Sequence, residues 1–453
     1  MLEALQSLKT SKSPGPDEMH PLIIKELASE ISYPLKKLFD KSIAEGKIPN
    51  KWKLAEVKPL FKKGKKTDPG NYRPVSLTSI ICKVFEKFIK DEIYNHLITN
   101  NLLSSNQFGF CSGRSCVTQL LATLSSWMES LDNTIPVDAI YLDFSKAFDT
   151  VPHKRLLSKL KSYGISGNIF NWIEDFLTNR EQFVSINDTK SSKLKVTSGV
   201  PQGSVLGPTL FIYYINDLPE VTDINTKIFA DDTKVFNEIN SSSDYHDLQK
   251  AIDNMFMWTE EWLLKFNKNK CKVLHLGKNN LHHEYFIGDK DNKIKITETV
   301  SEKDLGVYID PLLTFDSHIS EVVKKARKLC NLIMRTISLK SSEIMLPLYK
   351  TLIRPIIEYA NSVWYPYKRK HIDMIENVQR QFTRSMIGLK DYDYEERLVM
   401  LKLPSLEFKR VRGDLIETFK IIHKIYDPLT TKSLVREVPS ESSITRSNNF
   451  KLY

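Results

Sequence analysis

The sequence has 453 residues, of which 41% are hydrophobic and 26% are charged. This length predicts about two to four domains or subdomains, and the composition excludes a disordered chain. Lysine and arginine total 65 against 55 acidic residues. The formal charge of +10 favours a polyanionic partner such as nucleic acid, although an ordinary basic surface has the same charge.

The N-terminus and the cysteines indicate the compartment. The polar N-terminus lacks the apolar core of a signal peptide, and no apolar run reaches the ~20 residues of a membrane span. The number of cysteines is odd, which argues against a disulfide framework and favours free thiols. We therefore expect an intracellular protein of the nucleus or the cytoplasm, without membrane contact. The cysteines are Cys82, Cys111, Cys116, Cys271 and Cys330.

The first part of the chain contains both helix and strand patterns. A Pro-Gly-Pro-Asp turn follows Ser13, and apolar residues then recur at helical spacing from Leu22 to Leu38. A basic segment, Lys51–Lys66, contains a predicted strand from Ala55 to Phe61. The sequence then predicts a helix near Ile80–His96.

The middle of the chain places acidic residues beside predicted strands. β-Branched and aromatic residues predict a strand at Asp138–Phe144. Apolar residues on both sides of two acids predict a hairpin at Ile228–Phe236, with Asp231 and Asp232 at its polar tip. The other predicted elements are a helical stretch over about His153–Phe176, a helix over about Asp244–Phe266 and a strand over about Cys271–Leu276.

The residues after Asp310 are predicted to be mostly helical. Basic residues lie beside one apolar helix face from Lys324 to Lys340, and no acidic residue occurs among them. From about Lys432 the polar, serine-rich sequence predicts a loop or disorder. The apolar faces consist of Ile319, Val322, Ala326, Leu329 and Ile333, and of Val411, Leu415, Phe419 and Ile422.

Three aspartates are the strongest candidates for chemistry. Asp143 lies at the end of one predicted strand, and Asp231 and Asp232 lie at the tip of a separate hairpin. Each residue alone is explained as a turn former, a common role of aspartate. If the strands are adjacent, the three carboxylates make a site of hard oxygen ligands that suits Mg²⁺.

The surrounding motifs resemble those of a known enzyme family. Ala139–Val151 resembles the first catalytic motif of reverse transcriptases, Ser198–Pro208 resembles the next motif, and Phe229–Asp232 resembles the double-aspartate hairpin. Their order and spacing also match. The detailed pattern is similar to non-LTR, LINE-type retrotransposons, especially the jockey-like group, from about Ser11 to the end. Supporting stretches are Ser13–Asp17, Asn71–Leu77, Asn106–Phe110, Asp304–Asp310, Leu352–Ala360 and Val363–Tyr365, of which Asp304–Asp310 resembles the strand that closes the family's palm.

This resemblance implies an α+β, right-hand polymerase fold. Such a fold has fingers, a palm with an antiparallel sheet and a helical thumb, here with a helical C-terminal extension. The implied divisions are an N-terminal extension and fingers at 1–136, a palm with fingers-side helices at 137–310, a thumb-like helical region at 311–400, and a partial C-terminal region at 401–453.

The resemblance also implies a metal site. Asp143 corresponds to the family's first metal ligand, Asp231 to the ligand shared between two ions, and Asp232 to its less directly engaged neighbour. The backbone carbonyl of Phe144 corresponds to a further ligand. We expect two Mg²⁺ ions, with Mn²⁺ as a substitute, to promote in-line phosphoryl transfer.

Five further residues match positions that bind the nucleotide in the family. Phe148 matches the steric gate that excludes a 2′-hydroxyl, although a core phenylalanine between strand and helix is the better explanation from the pattern alone. Gln202 matches a residue against the sugar and triphosphate. Arg73 and Lys62 match residues that grip the triphosphate, with the register of Lys62 open among neighbouring lysines. Lys270 matches a lysine near the leaving pyrophosphate.

The implied function is RNA-directed DNA synthesis from an RNA template, a DNA primer and deoxynucleoside triphosphates. One alternative is a catalytically inactive, nucleic-acid-binding remnant of a retroelement. Another, a group II intron maturase, needs a splicing domain after the thumb that the sequence does not show. We also expect a shortened chain without the N-terminal endonuclease and the zinc knuckle of full-length relatives, and without a ribonuclease H.

Overall fold

The computed structural model describes residues 1–187, 189–289, 291–431, 434–436 and 451–452. These residues have an α+β architecture in which helices surround two larger β-sheets. The helices are α1 Leu2–Gln6, α2 Pro21–Glu26, α3 Ala28–Glu45, α4 Ile80–Thr99, α5 Cys116–Asp132, α6 Ala147–Thr150, α7 His153–Ser162, α8 Gly167–Leu177, α9 Gly207–Ile215, α10 Ser242–Trp262, α11 Asp316–Thr336, α12 Ser342–Leu348, α13 Arg354–Glu358, α14 Arg369–Arg384, α15 Tyr394–Leu401, α16 Leu406–Ile422 and α17 Pro428–Thr431.

Most strands of the described residues belong to the two larger sheets. The strands are β1 Leu54–Phe61, β2 Tyr72–Leu77, β3 Val137–Leu142, β4 Glu181–Ile186, β5 Thr189–Lys190, β6 Leu194–Lys195, β7 Asn225–Phe229, β8 Asp232–Glu238, β9 Lys272–Leu276, β10 Phe286–Ile287, β11 Ile294–Lys295, β12 Thr297–Glu298, β13 Glu302–Asp304, β14 Val307–Ile309, β15 Val435–Arg436 and β16 Lys451–Leu452. The N-terminal sheet has the order β2-β1-β4-β5, with β6 also paired to β4, and β1 runs parallel to β4.

The central sheet has the order β12-β9-β3-β8-β7, and its neighbours are antiparallel except for β12 and β9. Helices cover both of its faces. Successive residues of β3 point to opposite faces, so Ile140 joins a core with α4 and α10, whereas Ala139 joins a second core with α5 and α11. Burial on both faces explains why β3 consists mainly of apolar residues.

Most sequence predictions of secondary structure are confirmed, with three differences. The helical stretch predicted over about His153–Phe176 is broken between α7 and α8, where Gly164 has a φ of +83°. The helix predicted over about Asp244–Phe266 ends at Trp262, because Leu263 adopts a left-handed backbone with φ of 55°.

The third difference concerns Asp304–Asp310, which resembles the strand that closes the family's palm. These residues form part of a separate two-stranded hairpin, β13–β14. Its two central residues, Leu305 and Gly306, both have positive φ, the backbone that a tight two-residue hairpin turn requires. A buried ion pair from Lys234 of β8 to Asp304 attaches this hairpin to the sheet.

The C-terminal part is helical, as predicted. The apolar face of α11 is buried through Ile319, Ala326 and Ile333, and its lysines and arginine from 324 to 328 are exposed. By contrast, the predicted apolar face of α16 is largely exposed within the described residues, at Val411 and Phe419 among others. The loop predicted from Lys432 onwards lies mostly outside the described residues.

The described residues also give findings on the cysteines and on the length of the apolar helices. All five cysteines are free, as the odd number indicated. Among the helices that the structure describes, none has the length and apolar character needed to cross a membrane.

Candidate active site

The three aspartates meet at one end of the central sheet. Asp143 directly follows β3, and β8 begins at Asp232. The antiparallel register pairs Leu142 with Thr233, so the next step along both strands brings Asp143 beside Asp232. Asp231 lies in the two-residue turn between β7 and β8. The register therefore brings together the three residues that the sequence singled out.

A glutamine outside the sheet holds the turn that carries Asp231. Ala230, the other turn residue, has a φ of 55°, a backbone that favours glycine. The Oε1 atom of buried Gln107 accepts hydrogen bonds from the backbone N–H of Ala230 at 3.0 Å and of Gly109 at 2.7 Å. Sequence reasoning missed this role of Gln107, because nothing local in the sequence pairs it with a hairpin more than 100 residues away.

Lys270 contacts the first aspartate. Its Nζ atom lies 3.0 Å from Oδ1 of Asp143, and both side chains are about half exposed, at 50% and 41%. The backbone N–H of Asn267 donates to the carbonyl oxygen of Asp143 at 2.6 Å, which fixes the loop that carries Lys270. The structure thus places Lys270 beside Asp143.

Phe144 is buried and packs against Phe266, with ring centroids 4.5 Å apart. The two residues form an antiparallel bridge whose hydrogen bonds join their neighbours, from Ser145 N–H to the Lys265 carbonyl and from Asn267 N–H to the Asp143 carbonyl. In such a non-hydrogen-bonded pair, the polar backbone groups point away from the partner. The Phe144 carbonyl therefore points away from Phe266, towards the side of β3 on which β8 lies.

Burial and mutual repulsion both disfavour the charged forms of Asp231 and Asp232. The pKa of Asp232 is raised to about 6, first because the surrounding protein displaces water and then because Asp231, Asp304 and Asp143 are negatively charged. The pKa of Asp231 is also raised, by burial and by Asp143. Within the described residues, no lysine or arginine forms an ion pair with Asp231 or Asp232. Incompletely compensated carboxylates of this kind suit a divalent cation.

Two basic residues face the acids from the β1–β2 hairpin. Leu60 pairs with Arg73, and Lys62 follows Leu60 by two residues, so Lys62 and Arg73 project from the same face of the hairpin. Both side chains are exposed, and their positive charges oppose the rise in the pKa of Asp231. The structure therefore places Lys62 and Arg73 within electrostatic range of the acidic cluster.

The loop that contains Gln202 is fixed against this hairpin and against α6. The N–H of Ser76 on β2 donates to the Gln202 carbonyl at 2.7 Å, and a side chain on Gly203 would clash with the Ser76 carbonyl, at 2.1 Å from its Cβ. The Nε2 atom of Gln202 donates to Oδ1 of Asp149 at 2.8 Å. Asp149 was given no role from the sequence, and its pKa is raised by burial despite this hydrogen bond.

Phe148 lies on α6 and is partly buried. Its ring stacks on Phe211 of α9, with centroids 4.3 Å apart, and meets the edge of Phe110 at 6.4 Å. Its carbonyl accepts a hydrogen bond from Val200 N–H at 2.7 Å, in the loop that leads to Gln202. The packing supports the interpretation as a core residue and leaves part of the ring accessible.

Comparison with known proteins identifies proteins whose sequences are similar to this chain. A family model described as reverse transcriptase (RNA-dependent DNA polymerase) matches residues 62–337. This range includes every candidate site residue, from Lys62 to Lys270. The chain is 28% identical to the RNA-directed DNA polymerase from mobile element jockey of Drosophila melanogaster. It is 26% identical to the probable RNA-directed DNA polymerase from transposon BS of the same species.

These two alignments cover 88% of this chain but only 45% of each relative. A third relative, the probable RNA-directed DNA polymerase from transposon X-element of Drosophila melanogaster, is 27% identical over 85% of this chain and 43% of the relative. The chain therefore spans less than half the length of these curated relatives.

Proposed function

This chain belongs to the reverse transcriptase family, and from this membership we propose that it is the RNA-directed DNA polymerase of a non-LTR, jockey-like retrotransposon. The proposed reaction adds deoxynucleotides to the 3′-hydroxyl of a DNA primer on an RNA template. The observation that carries the proposal is the convergence of Asp143, Asp231 and Asp232 at one end of the central sheet, with Arg73 and Lys62 facing them.

The acidic cluster is the proposed cation site. Members of the family generally use divalent metal ions. Here the donor set of Asp143, Asp231 and the Phe144 carbonyl, with Asp232 as a neighbour, has the hard oxygens and the uncompensated charge that Mg²⁺ prefers. Two bound ions, Mg²⁺ or Mn²⁺ as a substitute, would activate the primer hydroxyl and stabilise the charge that develops on the phosphates.

The basic hairpin is the proposed triphosphate clamp. The planar guanidinium of Arg73 offers several N–H donors in a fork that matches phosphate oxygens, and Lys62 adds a point charge. Because both residues project from one face, they can contact the same polyphosphate while the acids hold the opposite side. The clamp thereby orients the nucleotide before reaction.

Phe148 and Gln202 are proposed to form the floor of the sugar site. Phe148 cannot move away from the nucleotide easily, because its ring already stacks on Phe211. It can therefore exclude a 2′-hydroxyl by shape, which selects deoxynucleotides. Gln202 is oriented by Asp149 and by the backbone of Ser76, so its position is set before the nucleotide arrives.

Lys270 is proposed to supply a proton to the leaving pyrophosphate. In the structure it neutralises Asp143 at 3.0 Å. If Asp143 bound a cation, the ammonium group of Lys270 would be free to contact a phosphate oxygen. Lysine at such a position is able to act as a general acid.

The subdomains follow the family's right-hand organisation in this proposal. Residues 1–136 form the N-terminal extension and fingers, 137–310 the palm with fingers-side helices, 311–400 a thumb-like region, and 401–453 a C-terminal region. The pairing of β4, which belongs to the second segment, with β1 of the first supports including fingers-side elements there.

The exposed basic face of α11 is proposed to contact the backbone of the template–primer duplex. Its residues are Lys324, Lys325, Arg327 and Lys328. Phosphate contacts of this kind make affinity fall steeply with salt and carry little sequence information. The proposed partners also imply an intracellular site of action, in the nucleus or the cytoplasm.

Primer extension on an RNA template tests the proposal. We expect Mg²⁺-dependent extension of a DNA primer by the wild-type chain and none by Asp231→Ala, with Asp223→Asn, an exposed acid outside the cluster, as the matched control. A wild-type chain that binds the template–primer but extends no primer would instead support the inactive, nucleic-acid-binding remnant.

A further inference from the structure

A second group of ligand-type side chains lies at the other end of the central sheet. His275 belongs to β9, Glu298 to the edge strand β12, and His282 to the segment that joins them. Each residue offers one nitrogen or oxygen atom, and these three atoms lie within 4.8 Å of one another. None of the three residues takes part in the site described above.

His275 is held in a fixed orientation by a buried carboxylate. Asp138 on β3 pairs directly with His275 on β9, and the two side chains are 0% and 2% exposed. The Nδ1 atom of His275 lies 2.6 Å from Oδ1 of Asp138. Tyr285 donates to Asp138 Oδ2 at 2.6 Å, and Asn280 donates to Oδ1 at 2.8 Å. The carboxylate is therefore surrounded by partners.

This arrangement leaves the second ring nitrogen of His275 available. Within the described part of the chain, its Nε2 atom has no hydrogen-bond partner. Histidines that bind metals almost always donate their other ring N–H to a carboxylate or a carbonyl, which fixes the ring and raises its basicity. Asp138 provides this second partner for His275.

His282 and Glu298 complete the group from the surface. The rings of His275 and His282 are 4.7 Å apart, and Nδ1 of His282 lies 2.5 Å from Oε1 of Glu298. The backbone N–H of His282 donates to Oδ1 of Asn280, the residue that also contacts Asp138. The side chains of His282 and Glu298 are 55% and 50% exposed, so both can adjust their positions.

We propose that His275, His282 and Glu298 bind a divalent transition metal ion of the Zn²⁺ type. Two imidazoles and one carboxylate form a donor set that suits Zn²⁺ better than Mg²⁺. A tetrahedral Zn²⁺ site holds its ligand atoms about 3.3 Å apart. This spacing lies between the 2.5 Å from His282 Nδ1 to Glu298 Oε1 and the 4.8 Å within which all three atoms lie, so small movements of the two exposed side chains suffice. Three protein ligands leave a fourth position for water.

The position of the group indicates what the ion would do. It would connect β9 with β12 and with the intervening segment from Gly277 to Ile296. The site differs from the acidic cluster, because Asp138 and Asp143 are five residues apart along β3, or about 17 Å in an extended strand. The inference therefore does not depend on the proposed polymerase activity.

Zinc binding by the full chain tests the inference. All chains carry Asp231→Asn to weaken the acidic cluster, and metal-free protein is titrated with ZnCl₂ in excess MgCl₂. We expect one bound zinc per chain and a higher midpoint of thermal unfolding with zinc. His282→Ala and Glu298→Gln are each expected to lower the affinity at least about ten-fold, since each removes a ligand.

The matched control is His246→Ala, which removes an exposed histidine outside the group and should bind zinc like the parent. Because the variants change exposed side chains, circular dichroism should show the same fold for all of them. Absence of a saturable site, or a zinc affinity in His282→Ala and Glu298→Gln equal to that of the parent, would show that the group consists only of ordinary ion pairs and would overturn the proposal.

Discussion

Two aspartates at opposite ends of β3 have contrasting surroundings. Asp138 is fully buried, and His275, Asn280 and Tyr285 all contact its carboxylate. Asp143 is partly exposed, has Lys270 as its ion-pair partner and lies beside two further acids. A carboxylate whose charge is met by hydrogen bonds stabilises a fold, whereas a cluster that lacks such partners retains its charge for a ligand. The two ends of β3 thus carry a fully partnered carboxylate and one of the proposed cation ligands.

The largest expected effect is on catalysis at the exposed end. Asp143→Asn keeps the size of the side chain and removes the negative charge that a cation requires. We expect the rate of primer extension to fall at least about a thousand-fold, the scale seen when an essential catalytic group is lost. Single-turnover extension with Mg²⁺ measures this rate. Retention of activity in Asp143→Asn would contradict the catalytic role proposed for Asp143.

The next effect concerns stability at the buried end. In Asp138→Asn, one carboxylate oxygen is replaced by an amide that cannot accept the hydrogen bonds now made there. We expect the free energy of unfolding to fall by about 2–3 kcal/mol, since a buried donor loses its acceptor. Urea unfolding with a chelator present measures the change without a contribution from bound metal. A change as small as that of the exposed control Asp223→Asn contradicts a structural role for Asp138.

A third effect separates nucleotide binding from chemistry at the exposed end. Arg73→Gln removes the proposed guanidinium contacts to the triphosphate. We expect KM for the deoxynucleotide to rise about ten- to a hundred-fold, because hydrogen bonds to charged groups contribute about 1.5–3 kcal/mol. Steady-state extension at varied nucleotide concentration measures KM and kcat. Lys63→Gln, an exposed neighbour of Lys62, is the control, and equal KM values in both variants contradict the clamp.

The smallest effect is a gain in stability at the acidic cluster. The pKa of Asp232 is raised from 3.8 to about 6, so deprotonation destabilises the folded chain as pH rises through this interval. Without divalent ions, we expect Asp232→Asn to unfold a few degrees above wild type at pH 7 and at nearly the same temperature below pH 4. Calorimetry in chelator at both values measures the difference. A gain that is equal at both pH values contradicts the burial and repulsion of the deprotonated Asp232 carboxylate as its cause.

Motifs in the sequence predicted the exposed end of the sheet well. Local strand and turn signals singled out Asp143, Asp231 and Asp232, and the register between β3 and β8 brings these residues together. The partners of these residues were not predictable in the same way. Gln107 reaches the hairpin through a hydrogen bond across more than 100 residues, and Asp149 meets Gln202 across 53.

The contacts of Asp138 at the buried end of β3 were not predicted from the sequence, for the same physical reason. Asp138 was part of a predicted strand, but its pairing with His275 depends on the register between β3 and β9. Register follows from the packing of whole strands rather than from any short motif. The apolar stripe of α16 shows the reverse case, since the pattern correctly predicted a helix but not the exposure of Val411 and Phe419.

Addition of a single deoxynucleotide to a DNA primer on an RNA template tests the central claim most directly. The wild-type chain should add the nucleotide with Mg²⁺ and not with a chelator, and Asp231→Asn should bind the same template–primer without adding it. Addition by Asp231→Asn at the wild-type rate, or no addition by a wild-type chain that binds the template–primer, would contradict catalysis by the three aspartates at the end of the central sheet.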